Sequence, residues 1–269
     1  MSDVNAPSGF DPWPGSDVHV EWGVAGATLA AARGDAVVVV DVLSFSTTVT
    51  IATARGCTCF VYSAGEINDM GGMAVVADRL DARAMSKDRR TTPGEISLSP
   101  ASLVAAAPVD QRIIVTSLNG AAVAAAATEA PMLVVASLRN ATAAAELVRA
   151  ALAGGAAKRV TVIACGEQWS SVTDRAAGLR PSLEDWLGAG LVCEVLAAMG
   201  LTLSAEAAVA AAAWTGSEPL RHCVSARELN AAGFADDVEL ALQVDADVVV
   251  PVRADSDAAR RAFIGHPQT

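Results

Sequence analysis

Short β-branched runs alternate with longer Ala-rich stretches along almost the whole chain. The runs Ala36–Val40, Cys59–Ser63, Arg112–Val115, Met132–Ala136 and Arg159–Ala164 are nearly continuous in apolar residues. That is the pattern of strands covered on both faces, since a half-exposed strand alternates instead. Val248–Val252 reads as a last strand, at an edge or a strand end because Pro251 cannot donate to a ladder. Thr47–Ala54, Ala121–Thr128, Ala141–Leu152 and Leu183–Met199 read as helices, the last closed by Gly200, and Ala205–Trp214 and Ser225–Ala232 follow as two more. Ala64–Ser99 is the least regular stretch. A helix is expected near Met73–Ala84, then a polar loop from Ser86 to Glu95 that is either a solvated excursion or a substrate-binding flap. The alternation predicts an α/β fold: a mainly parallel or mixed sheet with helices on both faces, three layers in the order α/β/α. Residues 1–17, rich in Pro, Gly, Ser and Asp, read as a disordered lead-in, and 18–269 as a single α/β domain of one body or two lobes.

Composition narrows the function classes. Apolar residues make up 52% of the 269, but the excess is mostly alanine, and no run reaches the roughly 18–20 apolar residues of a membrane span. The first twenty residues lack the basic-then-apolar order of a secretory signal. A net charge of −11 argues against nucleic acid, which calls for a basic stripe. An anionic substrate therefore needs local donors or a cation. Five cysteines without an export signal read as reduced thiols in a cytoplasm. Cys57 and Cys59 read as same-face strand residues, and His19, His222 and His266 are too scattered for a histidine-built zinc site. An Ala-rich helix face offers a surface for a homodimer.

The chemistry is expected on the turns that follow the strands, where open α/β sheets bind ligands. The first turn carries Asp41 and then Ser44, Ser46, Thr47 and Thr48. The next two carry Thr116, Ser117, Asn119 and Gly120, then Ser137, Arg139 and Asn140. A further one carries Cys165, Gly166 and Glu167, and the helix from Leu183 opens with Glu184 and Asp185. Hydroxyls, amides and helix N–H groups donate to anionic oxygens, and the carboxylates are hard ligands suited to Mg²⁺. Together they suit phosphoryl chemistry, in which a metal screens charge and donors fix oxygens. Read singly, each turn is an N-cap, and Ser182 with Asp185 is close to a capping box. Asp41, directly after a valine run, is the hardest to read that way. Other catalysts are excluded by pattern. Leu43 breaks a D-x-D motif, and no Arg stands six residues after Cys57, Cys59 or Cys165. Neither G-x-x-x-x-G-K-S/T nor G-x-S-x-G occurs.

At these turns the chain resembles the 2-phosphosulfolactate phosphatases. Val37-Val-Val-Val-Asp-Val-Leu-Ser-Phe-Ser-Thr-Thr-Val49 resembles their first motif, and Thr116-Ser-Leu-Asn-Gly120 the second, of T-x-x-N-G form. Ala136-Ser-Leu-Arg-Asn-Ala141 is similar to their strand-then-Asn turn. Ala164-Cys-Gly-Glu167 with Ser182-Leu-Glu-Asp-Trp-Leu-Gly-Ala-Gly190 resembles their late signature, and Ser225–Gly233, Phe234-Ala-Asp-Asp237 and Val250-Pro251 fit in order. The likeness spans about residues 36–252 and rests on several ordered motifs rather than one. Two departures stand out. Ser44 sits where the family usually has Arg, and the middle of the chain reads Met85-Ser-Lys-Asp-Arg-Arg90 and Ser97-Leu-Ser-Pro100 in place of the G-E-R and G-N-S-P motifs. Lys87, Arg89, Arg90 and Arg139 are the cations available to replace the lost guanidinium.

The resemblance implies an α/β, Mg²⁺-dependent phosphatase that hydrolyses (2R)-2-phospho-3-sulfolactate to 3-sulfolactate and phosphate, a step towards coenzyme M in organisms that make it. In that reading Asp41, Glu184 and Asp185 are catalytic. Asp41, Glu167, Glu184 and Asp185 are the metal set. Ser46, Thr47, Thr48, Thr116, Ser117, Asn119, Gly120, Ser137, Arg139, Asn140, Cys165 and Gly166 surround the substrate, and water is the nucleophile. The competing expectation is a non-catalytic small-anion binding or sensing protein that keeps the fold.

Overall fold

The computed structural model describes residues 14–86, 88–92, 94–106, 112–169, 178–255 and 261–267. Most of the expected lead-in (residues 1–13) and Lys87 lie outside this set. The first half of the chain runs β1 (Val18–Trp22), α1 (Gly23–Ala32), β2 (Ala36–Val40), α2 (Phe45–Ala54), β3 (Thr58–Tyr62), α3 (Ala64–Asp69), α4 (Met73–Leu80), β4 (Arg83–Ala84), α5 (Pro100–Ala105), β5 (Arg112–Thr116), α6 (Gly120–Ala126) and β6 (Leu133–Ala136). Then come α7 (Ala141–Ala153), β7 (Val160–Ala164), β8 (Glu167–Gln168), β9 (Leu179–Arg180), α8 (Leu183–Ala198), α9 (Ala205–Ala213), α10 (Val224–Ala231), α11 (Ala235–Ala241), β10 (Val249–Arg253) and β11 (Ala262–Pro267).

Among the described residues nine strands form one sheet in the order β1-β7-β2-β6-β10-β11-β3-β5-β4, and β8 pairs with β9 separately. The sheet is mixed. β1, β7, β2 and β6 run parallel to one another, as do β3, β5 and β4. The antiparallel pair β10–β11 joins the two parallel groups. The valine run of β2 shows why such a strand needs cover on both sides. Ala36, Val38 and Val40 enter one core with α7, α8 and α9, while Val37 and Val39 enter the other with α1, α2 and α6. All five are fully buried. Cys57 and Cys59 are buried, unbridged and packed in the same core, as expected of same-face residues.

The structure corrects two expectations. Val248–Val252 is neither an edge nor the last strand: β10 lies inside the sheet between β6 and β11. Pro251 is tolerated there because β10 meets β6 through the single pair Val252–Val134, so no long ladder is lost on that side. The helix expected to reach Ala84 stops at Leu80, where Asp81 turns left-handed (φ 44°), and Arg83–Ala84 pairs with β5 instead. Asp17, counted with the lead-in, is tied to Thr202 through backbone and side chain.

Asn140 repairs the short β6–β10 junction. Its amide donates to Val135 O (3.4 Å) and Val249 O (3.2 Å), and its Oδ1 accepts from Ser137 N–H (2.8 Å). Each buried group left without a partner costs about 1–3 kcal/mol. Asn140→Ala is therefore expected to lower the free energy of unfolding by at least that much, read from urea melts by circular dichroism. An unchanged midpoint would mean that the junction holds without the amide.

Candidate active site

The turn after β2 puts Asp41 in the interior. Its Oδ1 accepts from Phe45 N–H (3.3 Å), the first residue of α2, and its Oδ2 accepts from Gly120 N–H (2.9 Å), the first residue of α6. One carboxylate thus serves orphan donors of two helices. Gly120 is required by this approach. A Cβ there would collide with the Phe45 ring and lie 2.7 Å from Asp41 Oδ2. Asp185, in the first turn of α8, does the same for two turns. Its Oδ1 accepts from Val42 N–H (2.8 Å), and its Oδ2 from Gly166 N–H (2.9 Å) and Ser182 Oγ–H (2.8 Å). Gly166 holds φ +68°, the left-handed conformation a side chain resists, which turns its N–H to that carboxylate.

Glu184 and Glu167 complete an acidic group around these two. Glu184 is buried. Glu167 Oε2 accepts from Asn119 Nδ2–H (2.8 Å). Burial first, and then the charges of Glu167 and Glu184, push the Asp41 carboxyl up to about 7, against the pull of the Phe45 and Gly120 N–H groups. Asp185 is held well above the usual carboxylate range by burial, then by Asp41 and Glu184. Glu167 is raised by burial and by Glu184, with Asn119 opposing. The Cys165 thiol is pushed up by burial and by Asp41, Asp185 and Glu167, so it stays neutral. Cys223, pushed up to about 12 by burial and by Glu184, is equally inert.

Other residues singled out in the sequence are committed to the backbone. Ser46 Oγ accepts from Asp41 N–H and donates to Val39 O. Thr47 donates to Val42 O and Thr48 to Leu98 O. Ser137 meets Thr50 and Asn140. Arg139 binds Asp247 (2.6 Å), Leu240 O and Gln243, away from the carboxylates. Thr116, Ser117 and Leu118 border another cavity of about 240 Å³ beside Ile67 and Asn68. Of the intended substrate contacts, Asn119, Gly120, Cys165 and Gly166 are the ones brought to the acidic group.

Of the described cations named to replace the missing guanidinium, Arg89 is the one that reaches Ser44. Arg89 reaches Ser44 Oγ (3.0 Å) and pairs with Asp237 (3.0 Å), its guanidinium 5.8 Å from the centre of the Phe234 ring. Asp237, fully buried, also accepts from Ser99 Oγ–H (2.5 Å) and Ala101 N–H (3.0 Å). The polar loop is thereby anchored on α11, with a cation placed just after Asp41-Val42-Leu43. Arg90 binds Ala232 O instead. What the sequence did not show is the partner Asp237, which by itself reads as a first-turn acid of a helix.

The donor set fits a hard cation. Among the described residues no three His, Cys, Asp or Glu side chains are gathered to hold an ion unaided. Mg²⁺ does not need such a cage, being held commonly by one or two carboxylates with waters and substrate phosphate. Asp185 accepts three hydrogen bonds, two of them at Oδ2, whereas Asp41 accepts one at each oxygen and keeps a lone pair at each. Asp41, Glu184 and Glu167 are therefore the available ligands, and a cation would relieve their mutual repulsion.

A carboxyl raised in the folded state binds more protons there than in the unfolded chain, between its ordinary 3.8 and about 7 for Asp41. Its contribution is complete below that window and lost as pH rises through it. In metal-free buffer, the advantage in urea midpoint of the wild type over Asp41→Asn is expected to shrink from about pH 4 to about pH 7. A difference that is flat across this range would show that Asp41 does not titrate there.

A family model described as 2-phosphosulpholactate phosphatase matches residues 27–256. A search of curated proteins finds no match.

Proposed function

Because the chain belongs to the 2-phosphosulpholactate phosphatase family, and so is a phosphoric monoester hydrolase, we propose that it hydrolyses (2R)-2-phospho-3-sulfolactate, or a related small phosphorylated hydroxy acid, in a Mg²⁺-dependent reaction. The observation that carries this reading is the buried acidic group. Burial, and then the charges of neighbouring acids, raise the proton affinity of Asp41, Glu167 and Asp185 beside helix starts and turns that present N–H donors. Such a site is poor for an anion alone and good for an anion that arrives with a divalent cation.

Asp41 and Glu184 would hold Mg²⁺, with Asp185 positioning the turns that carry Asp41 and Gly166. The ion supplies charge neutralisation and polarisation of the phosphoryl oxygens. Water is the nucleophile, since the neighbouring Cys165 thiol is held neutral. Glu167, fixed by Asn119 at one oxygen and raised above the usual carboxylate range by burial, takes the proton of the attacking water. As the ester P–O bond breaks, that proton passes to the departing hydroxy-acid oxygen. Arg89 supports an acidic substrate from the Ser44 side, where the family motif usually carries its own Arg.

The test is release of inorganic phosphate from 2-phosphosulfolactate and 2-phospholactate. Release is expected with Mg²⁺, to disappear with EDTA, and to fall at least a hundredfold in Glu167→Gln, about what losing a general base costs. Full activity in EDTA would remove the metal from the scheme. Calorimetric binding of sulfolactate without any phosphate release would favour the sensing protein instead.

Arg89→Ala is expected to raise KM roughly tenfold or more, the worth of a hydrogen bond to a charged group. The turnover number should fall much less. An unchanged KM in a variant with a native thermal midpoint would leave Arg89 as a loop anchor alone.

A further inference from the structure

Beside the acidic group the protein is apolar. A cavity of about 250 Å³ opens between the β1–α1 turn, the start of α6 and β9. Trp22, Val24, Leu118, Ala122, Val123 and Leu179 form most of its wall. Asn119, Cys165 and Gln168 border it too, and Asn119 is the residue bonded to Glu167, so the cavity and the carboxylates share a partition. Among the described residues its lining includes no Lys, Arg or His. The Trp22 wall is fixed by stacking on Trp186, with ring centres 5.6 Å apart and planes 5° apart.

The rim is stranger than the wall. Leu118 lies between Ser117 and Asn119 in the turn that delivers Gly120 to Asp41, yet it is 66% exposed. Val24 and Leu179 are 49% and 43% exposed on the same cavity. Single exposed apolar residues need no explanation, but three around one opening mark a contact surface. The volume is that of about eight liquid waters, too small for a protein segment and right for a short organic chain. Continuity with Asn119 names the occupant: part of the molecule whose phosphoryl group sits at the carboxylates.

We propose that this cavity is a subsite for an apolar, uncharged group on the phosphomonoester, and that the enzyme accepts phosphorylated hydroxy acids with alkyl side chains. The proposal rests on the phosphatase reading above. Among the described lining residues a sulfonate would meet no countercharge, whereas each methylene buried is worth roughly fourfold in affinity.

The experiment measures kcat/KM for 2-phospholactate and for its homologues lengthened to 2-phosphohexanoate, with wild type, Ala122→Phe and Leu118→Glu. A rise of roughly fourfold per methylene over the first few carbons is expected in wild type, and its loss in both variants. Leu118 is exposed, so Leu118→Glu should fold even if Ala122→Phe does not. Equal kcat/KM for short and long esters, or a rise that survives in Leu118→Glu, would overturn the subsite and leave the phosphatase reading standing. If no ester is turned over, the phosphatase reading fails, and 2-hydroxyhexanoate is titrated against tryptophan fluorescence with Trp22→Phe as control. Saturable, Trp22-dependent quenching that lactate does not give would then support the subsite, and its absence would overturn it.

Discussion

The site depends on two buried carboxylates that are held by backbone N–H groups rather than by cations. Asp41 bonds the first residues of α2 and α6, and Asp185 bonds the turns after β2 and β7 through Val42 and Gly166. Four segments distant in sequence therefore meet on two side chains. Either carboxyl, protonated or ionised, can accept from these donors, but ionising both without a countercharge is costly in so dry a place. The same bonds that assemble the turns create the electrostatic problem that a ligand has to solve.

That conflict separates a structural cap from a site. An acid in the first turn of a surface helix is stabilised by the dipole and costs nothing. Asp41 is stabilised by N–H groups, yet its proton affinity is still raised, because burial and the nearby charges of Glu167 and Glu184 outweigh them. A structure selected only for stability would place an amide or hydroxyl here. Keeping a third and fourth acid close to the first two makes sense when a divalent cation and a phosphate are to be bound together.

Where the sequence was legible, one local cause was decisive. The valine run at 36–40 and the strands 112–116, 133–136 and 160–164 are apolar on both faces because helices cover both faces. β1 (Val18–Trp22) escaped notice because His19, Glu21 and Trp22 interrupt its apolar pattern, although its partner β7 buries it. β10 was misplaced because Pro251 speaks against a central strand, and the side chain that compensates, Asn140, comes from a turn more than a hundred residues away. Asp41, Glu167, Glu184 and Asp185 could be picked out from their turns. The hydroxyls of Ser46, Thr47 and Thr48 could not be sorted from substrate donors, since a hydroxyl that will bond a carbonyl looks the same in sequence as one that will bond phosphate. The Arg89–Ser44 contact joins a polar loop to a turn forty-five residues earlier, and no periodicity encodes it.

The turn Thr116-Ser-Leu-Asn-Gly120 shows how few residues separate these functions. Gly120 has no side chain because Asp41 and Phe45 occupy the space, so the helix start comes within hydrogen-bond reach of the carboxylate. Asn119, one residue earlier, fixes Glu167. Leu118, one earlier again, turns to the opening and leaves most of its surface in water. The similar turn Ser137-Leu-Arg-Asn140 has its own Leu and Asn, but Leu138 is fully buried and Asn140 is spent on backbone. Two turns of like composition thus diverge according to what lies beneath them. Over the packed core, the asparagine closes a sheet. Beside the buried acids, it fixes Glu167, and the leucine next to it is left facing the opening.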